Sequence, residues 1–150
     1  LTGERTALNF LQRMSGIATT ARMYVSAVGN RKTTILDTRK TLPGFRWLDK
    51  YAVRAGGAAN HRFGLFDMVM IKDNHISVAG GILPAVKSIR SGNIGSIRIE
   101  VETTYIREVE EALAAGADII MLDNMDIESM SMAVRIIGDR EDRSLRKHVT

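Results

Sequence analysis

Short apolar runs along this chain end repeatedly on charged residues, and the types of those residues suit chemistry on an anion. The first groups are basic and the last are acidic. In chain order they are Arg39 and Lys40, then Lys72, then Glu100, then Asp123. In a parallel α/β barrel, residues at the carboxyl ends of the strands face the substrate. The pattern therefore predicts an active-site edge with a cationic part and an acidic part.

The basic groups suggest recognition of carboxylate or phosphate. Arg39 offers a planar fork and Lys40 a compact point charge. His61 precedes Arg62, and a histidine can donate a hydrogen bond to an anion as a neutral ring. Lys72 could contact a substrate carboxylate. Each group also has a purely structural alternative. Arg39 and Lys40 could lie in a solvated loop, His61 and Arg62 could be a structural pair, and Lys72 could begin a polar turn.

The residues after Lys72 and the two acids carry further alternatives. Asp73 and His75 could fix neighbouring side chains or bind a metal ion. Glu100 and Asp123 could hold Mg²⁺ through oxygen ligands and water, or stabilise a sugar cation electrostatically. Either acid alone could equally be a solvent-facing residue. We assign Glu102 to the opposite side of its strand from Glu100, and therefore give it no role.

Composition limits the classes of function. Of the 150 residues, 45% are hydrophobic and 25% are charged, as is usual for a globular domain. Residues 30–62 carry eight Lys/Arg and two acids, whereas residues 100–130 carry nine acids and one Arg. This division suits a small anionic substrate better than the sustained basic face expected for nucleic acid. Cysteine is absent, which excludes thiolate chemistry, and no apolar run approaches the ~20 residues of a membrane span.

Periodicity indicates alternating helices and strands. Helices are predicted at 5–28, 47–55, about 84–90, 105–115 and 127–137, and strands at 33–37, 67–71, 97–101 and 118–122. Gly138 is expected to end the last helix. Alternation of this kind favours a parallel sheet. Because a complete barrel needs roughly 250 residues, we predict an α/β fold that is a partial parallel (β/α) barrel, incomplete in this chain.

The predicted organisation has three parts. Residues 1–30 form a helical segment that would join an N-terminal domain to the barrel, residues 31–138 form four βα units, and residues 139–150 form a charged tail. The chain starts without Met and is expected to be the interior of a longer protein.

Several motifs in one order and spacing resemble the quinolinate phosphoribosyltransferase family, also called nicotinate-nucleotide pyrophosphorylase (carboxylating). The similarity covers about residues 3–137. The motifs are Glu4 to Asn9, Ser15 to Thr19, Asp37 to Gly44, Lys50 to Arg54, Gly56-Gly57, Asn60 to Arg62, Ile71 to His75, Glu100 to Glu102 and Leu122 to Asn124.

The resemblance implies transfer of a phosphoribosyl group from 5-phosphoribosyl 1-pyrophosphate to quinolinate, with loss of pyrophosphate and carbon dioxide, on the route to NAD. It implies a requirement for Mg²⁺ and a homodimer or larger homo-oligomer with a shared site. Quinolinate contacts carried over by the resemblance are Arg5 (reaching a neighbouring subunit), Arg39, His61, Arg62 and Lys72.

The remaining residues carried over act on the second substrate. Lys40 matches a contact of phosphoribosyl pyrophosphate, and Glu100 and Asp123 match acids near the ribose and the metal. Family members continue beyond the last helix into phosphate-binding loops that the charged tail does not resemble.

Three alternatives to this function stay open. They are a catalytically incompetent fragment, a non-catalytic partner subunit of the same fold, and a related barrel transferase for another acidic aromatic base. The expected compartment is the cytoplasm, or an organelle, with no membrane or nucleic-acid partner.

Overall fold

A computed structural model describes residues 2–29, 32–92 and 95–146 of the chain. It divides the chain into two compact units, Leu1–Leu65 and Phe66–Thr150. The first unit holds α1 (Thr2–Val28) and α2 (Arg46–Ala55). The second holds β1 (Val69–Ile71), α3 (Asp73–Ala79), α4 (Ile82–Ser91), β2 (Ile99–Thr103), α5 (Ile106–Ala115), β3 (Ile119–Leu122) and α6 (Ile127–Arg146).

In the first unit, α1 packs against α2 at a close approach that only glycine allows. A Cβ added to Gly56 would lie 2.4 Å from the backbone oxygen of Ala18 and 2.7 Å from the Cβ of Ala21. Gly57 follows with φ +90°, a left-handed conformation that favours glycine. The pair therefore ends α2 and lets its end touch the backbone of α1.

The Gly56→Ala change should destabilise the first unit by roughly 1–3 kcal/mol, because the added methyl group would overlap the Ala18 carbonyl and force the α1 backbone to move. Gly16→Ala is the matched control, since Gly16 lies inside α1 and an added Cβ meets nothing within 4 Å. It should instead stabilise α1 by roughly 0.5–1 kcal/mol. Urea unfolding of both variants measures the two shifts. Equal shifts would contradict the packing account.

The predicted strand at 33–37 is not a regular strand. Leu36 makes a single parallel bridge with Ala59, held by hydrogen bonds from Asp37 N–H to the Ala59 oxygen (3.1 Å) and from Ala59 N–H to the Ile35 oxygen (2.8 Å). The run is apolar and β-branched, but a strand needs a paired neighbour along its length. Among the described residues, three βα units rather than four therefore have a regular strand.

The second unit contains a three-stranded parallel sheet in the order β1-β2-β3. Met70 pairs with Glu100, and Glu100 pairs in turn with Ile119. The odd-numbered residues of β1 and β2 pack with α4 and α5 in a core that contains Ile71, Ile82, Ala85, Val86, Ile99, Val101 and Ala112. Since side chains alternate across a strand, the even-numbered residues of β1 and β2 project from the other face.

Two helix predictions in the second unit were wrong. The segment after Lys72, expected to be a loop, forms α3, which begins where Nδ1 of His75 accepts the Lys72 N–H (3.0 Å) and ends at Gly80 with φ +77°. Gly138, expected to stop the last helix, lies inside α6, which runs to Arg146. A single helical glycine costs only about 1 kcal/mol relative to alanine, so it is a weak stop signal. The helix start is as predicted, because Asp126 accepts the Ser129 N–H at 2.7 Å.

The charged segment 139–150 is therefore helical as far as Arg146, and residues 147–150 lie outside the described part. The assignment of residues 1–30, 31–138 and 139–150 to separate parts of a longer protein stays a prediction. No helix in the described ranges has the length and apolar character needed to cross a bilayer.

Asp118 should make the second unit acid-sensitive. Burial opposes ionisation, but the Ile99 N–H and the Arg90 guanidinium, each 2.6 Å from Oδ2, outweigh it and lower the pKa of Asp118. A lowered folded-state pKa stabilises the fold above the unfolded value of ~3.9 and loses that effect as pH falls through the folded value. Asp118→Asn should flatten the acid limb of a urea-midpoint titration. Glu110→Gln, an exposed acid on α5, should leave it unchanged.

Candidate active site

In the first unit, the carboxylate of Asp37 joins the two segments that carry the predicted cations. Oδ1 accepts Lys50 Nζ (2.6 Å) and the His61 N–H (2.8 Å), and Oδ2 accepts Asn60 Nδ2 (2.7 Å). Lys50 Nζ also donates to the His61 carbonyl (3.1 Å). Only 5% of the Lys50 side chain and 9% of the Asp37 side chain are exposed. The sequence had indicated no role for Asp37 or Lys50.

Arg39 lies two residues after this carboxylate and is half-buried. Its Nε is buried and has no hydrogen-bond partner among the described residues. Its carbonyl oxygen accepts Arg46 Nη2 at 3.4 Å, so α2 helps to hold the backbone of the loop. A buried donor without an acceptor is unusual in a folded protein and fits an anionic ligand.

The other predicted cations of the first unit differ in exposure. Lys40 is exposed, and its N–H donates to the Thr38 hydroxyl at 3.1 Å. Arg5 lies exposed on α1. His61 and Arg62 are half-buried. The structure thus brings His61 to the same carboxylate that precedes Arg39.

In the second unit, the face of the sheet away from α4 and α5 carries a run of polar side chains. Lys72 directly follows β1, and its Nζ pairs with Oε2 of Glu102 at 2.5 Å. The Lys72 side chain is 42% exposed and that of Glu102 is 18% exposed. The assignment of Glu102 away from Glu100 was wrong, because residues two apart in a strand share a face. That spacing was the signal that could have found Glu102.

Strand register determines how far Glu100 and Glu102 lie from the carboxyl edge of the sheet. Glu100 pairs with Ile119 and is 3% exposed, whereas Glu102 pairs with Met121, two residues nearer the carboxyl edge. At about 3.3 Å per residue, Asp123 lies about 13 Å beyond the level of Glu100 but only about 7 Å beyond that of Glu102. Glu102 is therefore the acid of β2 closer to Asp123.

Asp123 is held at the end of β3 by the backbone. Its N–H donates to the Thr103 carbonyl at 2.8 Å, and its Oδ2 accepts Asn124 Nδ2 at 3.3 Å. Asn124 has φ +52°, a left-handed conformation that asparagine tolerates better than most residues. The chain turns immediately after the carboxylate, which leaves Asp123 half-buried at the sheet edge.

Asp73 and His75 act locally in the structure. The Asp73 carboxylate accepts the Asn74 N–H at 2.7 Å, and His75 accepts the Lys72 N–H as described above. Both contacts belong to the first turn of α3. Both residues therefore hold the backbone at the start of α3, and metal binding by them stays a prediction.

The described part of the chain contains no dedicated metal cage at the sheet edge. No group of three or more His, Cys, Asp or Glu side chains within the described ranges could hold a metal ion. Mg²⁺ is usually bound by one or two carboxylates together with water and substrate phosphates. Glu102 and Asp123 lie on neighbouring strands near this edge and are the two carboxylates that could take part in such binding.

These features define the class of protein. It is an α/β protein with a parallel sheet, helices packed on one face, and charged residues at the carboxyl ends of the strands, where such folds bind ligands.

The particular family follows from sequence: the chain belongs to the quinolinate phosphoribosyltransferase family. The model of this family described as "Quinolinate phosphoribosyl transferase, C-terminal domain" matches residues 17–149. The resemblance and the predicted α/β fold, a partial parallel barrel, are thereby confirmed.

Individual relatives agree with this placement. A Synechocystis protein named a probable nicotinate-nucleotide pyrophosphorylase (carboxylating) is 54% identical over 137 residues, covering 91% of this chain and 46% of the relative. A chloroplastic Arabidopsis thaliana nicotinate-nucleotide pyrophosphorylase (carboxylating) is 47% identical, covering 98% of this chain and 47% of its own length. The nicotinate-nucleotide pyrophosphorylase structure from Francisella tularensis superposes with TM-score 0.87 at 51% identity, covering 91% and 48%. The chain thus spans slightly under half of these proteins.

Proposed function

We propose that this chain is part of an enzyme that transfers phosphoribose from 5-phosphoribosyl 1-pyrophosphate to quinolinate. The products are nicotinate mononucleotide, pyrophosphate and carbon dioxide, and the reaction serves NAD biosynthesis. Family membership supports the reaction class. The observation that carries the proposal is the buried Nε of Arg39, which has no acceptor among the described residues and suits an anionic ligand.

Four cations carried over from the family resemblance are proposed to bind quinolinate. Quinolinate is a dianion, and bidentate guanidinium–carboxylate pairs are among the stronger hydrogen-bonded contacts. Arg39 is proposed to bind one carboxylate through two guanidinium N–H groups. His61 and Arg62 are proposed as further hydrogen-bond donors. Lys72 is proposed as a further quinolinate contact, and it must then exchange Glu102 for a substrate carboxylate. Lys40 is proposed to contact phosphoribosyl pyrophosphate.

Bond formation needs no covalent nucleophile from the protein. The quinolinate ring nitrogen attacks C1 of the ribose, and the bond from C1 to pyrophosphate breaks with its electron pair on the leaving oxygen. Positive charge develops at C1, and carboxylates nearby stabilise it. The nitrogen, now cationic, stabilises the electron pair that the departing carbon dioxide leaves at C2, and a proton then replaces the lost carboxylate.

The acids at the sheet edge have two proposed tasks. Glu100 and Asp123 were predicted to act near the ribose and Mg²⁺, and we add Glu102 because the register places it nearer Asp123. When bound, Mg²⁺ would neutralise the pyrophosphate. Glu102 and Asp123 would hold the ion while their negative charge faces the developing cation. Removing divalent cations with a chelator should abolish turnover.

The assembly and the compartment are also proposals. Arg5, exposed on α1, is proposed to complete the quinolinate site of a neighbouring copy, which implies a homodimer or a larger homo-oligomer. The cytoplasm is the proposed compartment, with an organelle as the alternative.

Calorimetric titration with quinolinate and with nicotinate tests the proposed substrate class. The chain should bind quinolinate saturably and prefer it strongly, because only quinolinate presents two carboxylates. Equal affinity for the two ligands would favour a related transferase for another acidic base. If neither ligand binds, the non-catalytic alternatives take precedence, whereas turnover by the purified chain would exclude them.

A further inference from the structure

We propose that the buried Asp37–Lys50 pair positions His61, Arg62 and Arg39 for a ligand with two carboxylates. Neither residue touches the substrate in this proposal, so both are positioning residues. The inference rests on the proposed function for the identity of the ligand. The contacts themselves lie entirely within the first unit.

The Asp37–Lys50 pair hydrogen-bonds both backbone polar groups of His61. Asp37 Oδ1 accepts the His61 N–H at 2.8 Å, and Lys50 Nζ donates to the His61 carbonyl at 3.1 Å. Because Lys50 and Asp37 are themselves joined at 2.6 Å, these contacts close a ring around the His61 backbone. The ring restricts the backbone dihedrals of His61 and thereby the direction in which its side chain and that of Arg62 leave the chain.

Further contacts extend the arrangement to Arg39 and to α2. Asp37 precedes Arg39 by two residues, and its N–H bonds to Ala59 at 3.1 Å. Asn60 Nδ2 donates to Asp37 Oδ2 at 2.7 Å and to the Lys50 carbonyl at 3.0 Å. One carboxylate therefore sets the spacing between the two segments that carry the predicted donors, and α2 supplies its counter-charge.

Stability alone does not explain a charged pair at this position. Well-packed apolar residues often replace a buried ion pair without loss of stability. An apolar pair, however, could not hold the N–H and the carbonyl of His61 at the same time. The pair is also neutral as a whole, so it leaves the positive charge of these two segments to Arg39 and Arg62.

The test compares Lys50→Met with Arg13→Met in the full chain. Arg13 of α1 pairs at 2.7 Å with Asp49, which lies on α2 next to Lys50, and Arg13 makes no contact with the His61 backbone. Lys50→Met should weaken quinolinate binding about tenfold or more, since small misplacements of binding groups are costly. It should also reduce the preference for quinolinate over nicotinate. Arg13→Met should change neither quantity by more than about twofold. A purely structural role would lower the folded fraction and leave the preference unchanged, which would overturn the proposal.

Asn60→Ala covers the case in which Lys50→Met does not fold. It removes the two Asn60 bonds without unpairing a charge, and it should weaken quinolinate binding about threefold and again reduce the preference. Unchanged affinity and preference in this variant would count against the proposal.

Hydrogen exchange of the His61 amide tests, without any ligand, whether Asp37 and Lys50 restrain the His61 backbone. Exchange at His61 should quicken at least about tenfold in Lys50→Met, or in Asn60→Ala if only that variant folds, and not in Arg13→Met. Unchanged exchange would overturn the proposal even if the wild-type chain did not bind quinolinate. Failure of the wild type to bind would itself count only against the proposed function.

Discussion

Arg39→Met is expected to weaken quinolinate binding about 100-fold. The half-buried guanidinium offers a fork to a carboxylate, and each hydrogen bond to a charged group contributes about 1.5–3 kcal/mol. A loss of about 3 kcal/mol corresponds to about two orders of magnitude in Kd. Calorimetric titration at 25 °C measures the change directly. The folded state should survive, because the Arg39 side chain has a buried Nε without a partner among the described residues.

Arg54→Met is the matched control for the loss of one positive charge. Arg54 lies exposed near the end of α2, and its removal lowers the net charge of the chain by the same amount. Binding by this variant should stay within about twofold of the wild type, because exposed charges are screened over about 10 Å at ordinary salt. Similar losses of quinolinate affinity in both variants would mean that binding depends on the net charge of the chain and not on the Arg39 guanidinium.

Lys72→Met and Glu102→Gln are expected to change quinolinate affinity in opposite directions. Lys72 Nζ and Glu102 Oε2 form an ion pair, so the Glu102 carboxylate competes with a substrate carboxylate for the same ammonium. Lys72→Met should weaken binding by roughly tenfold to 100-fold. Glu102→Gln should strengthen it several-fold, because Lys72 no longer has to leave a charged partner. Titration of both variants without divalent cations measures the two effects.

The same glutamate should be needed once Mg²⁺ and phosphoribosyl pyrophosphate are present. Glu102→Gln should therefore combine tighter quinolinate binding with weaker Mg²⁺ binding, and Glu110→Gln on α5 should show neither change. If Lys72→Met and Glu102→Gln both weakened quinolinate binding, the ion pair would be a structural support of the sheet edge and the competition would be disproved.

Local signals in the sequence were sufficient for much of the fold. The periodicity of residues 5–28 predicted α1, and the helix predicted from residue 127 begins there as α6. Apolar runs identified β1, β2 and β3 to within two residues. Signals of this kind succeed because side-chain periodicity and capping depend on neighbours in sequence.

Three segments differ from the sequence predictions, each for its own reason. The run 33–37 is as apolar as a strand, yet within the described residues only Leu36 forms a bridge, and 51% of that side chain is exposed. The segment 73–79 is helical and His75 accepts the Lys72 N–H at its start, whereas histidine is not among the residues that usually cap a helix. Gly138 was read as a stop although the backbone continues as a helix.

By itself, the sequence determined the family, the parallel α/β class and the identity of the charged residues at the strand ends, because residue types and their spacing are local properties. Only the tertiary structure showed that Asp37 and Lys50 hold the His61 backbone, that Glu102 pairs with Lys72, and that Glu102 lies nearer than Glu100 to the level of Asp123. These facts depend on strand register and on contacts between residues up to 30 positions apart. Hydrogen-bond partners at that separation are chosen by packing, which no local pattern encodes.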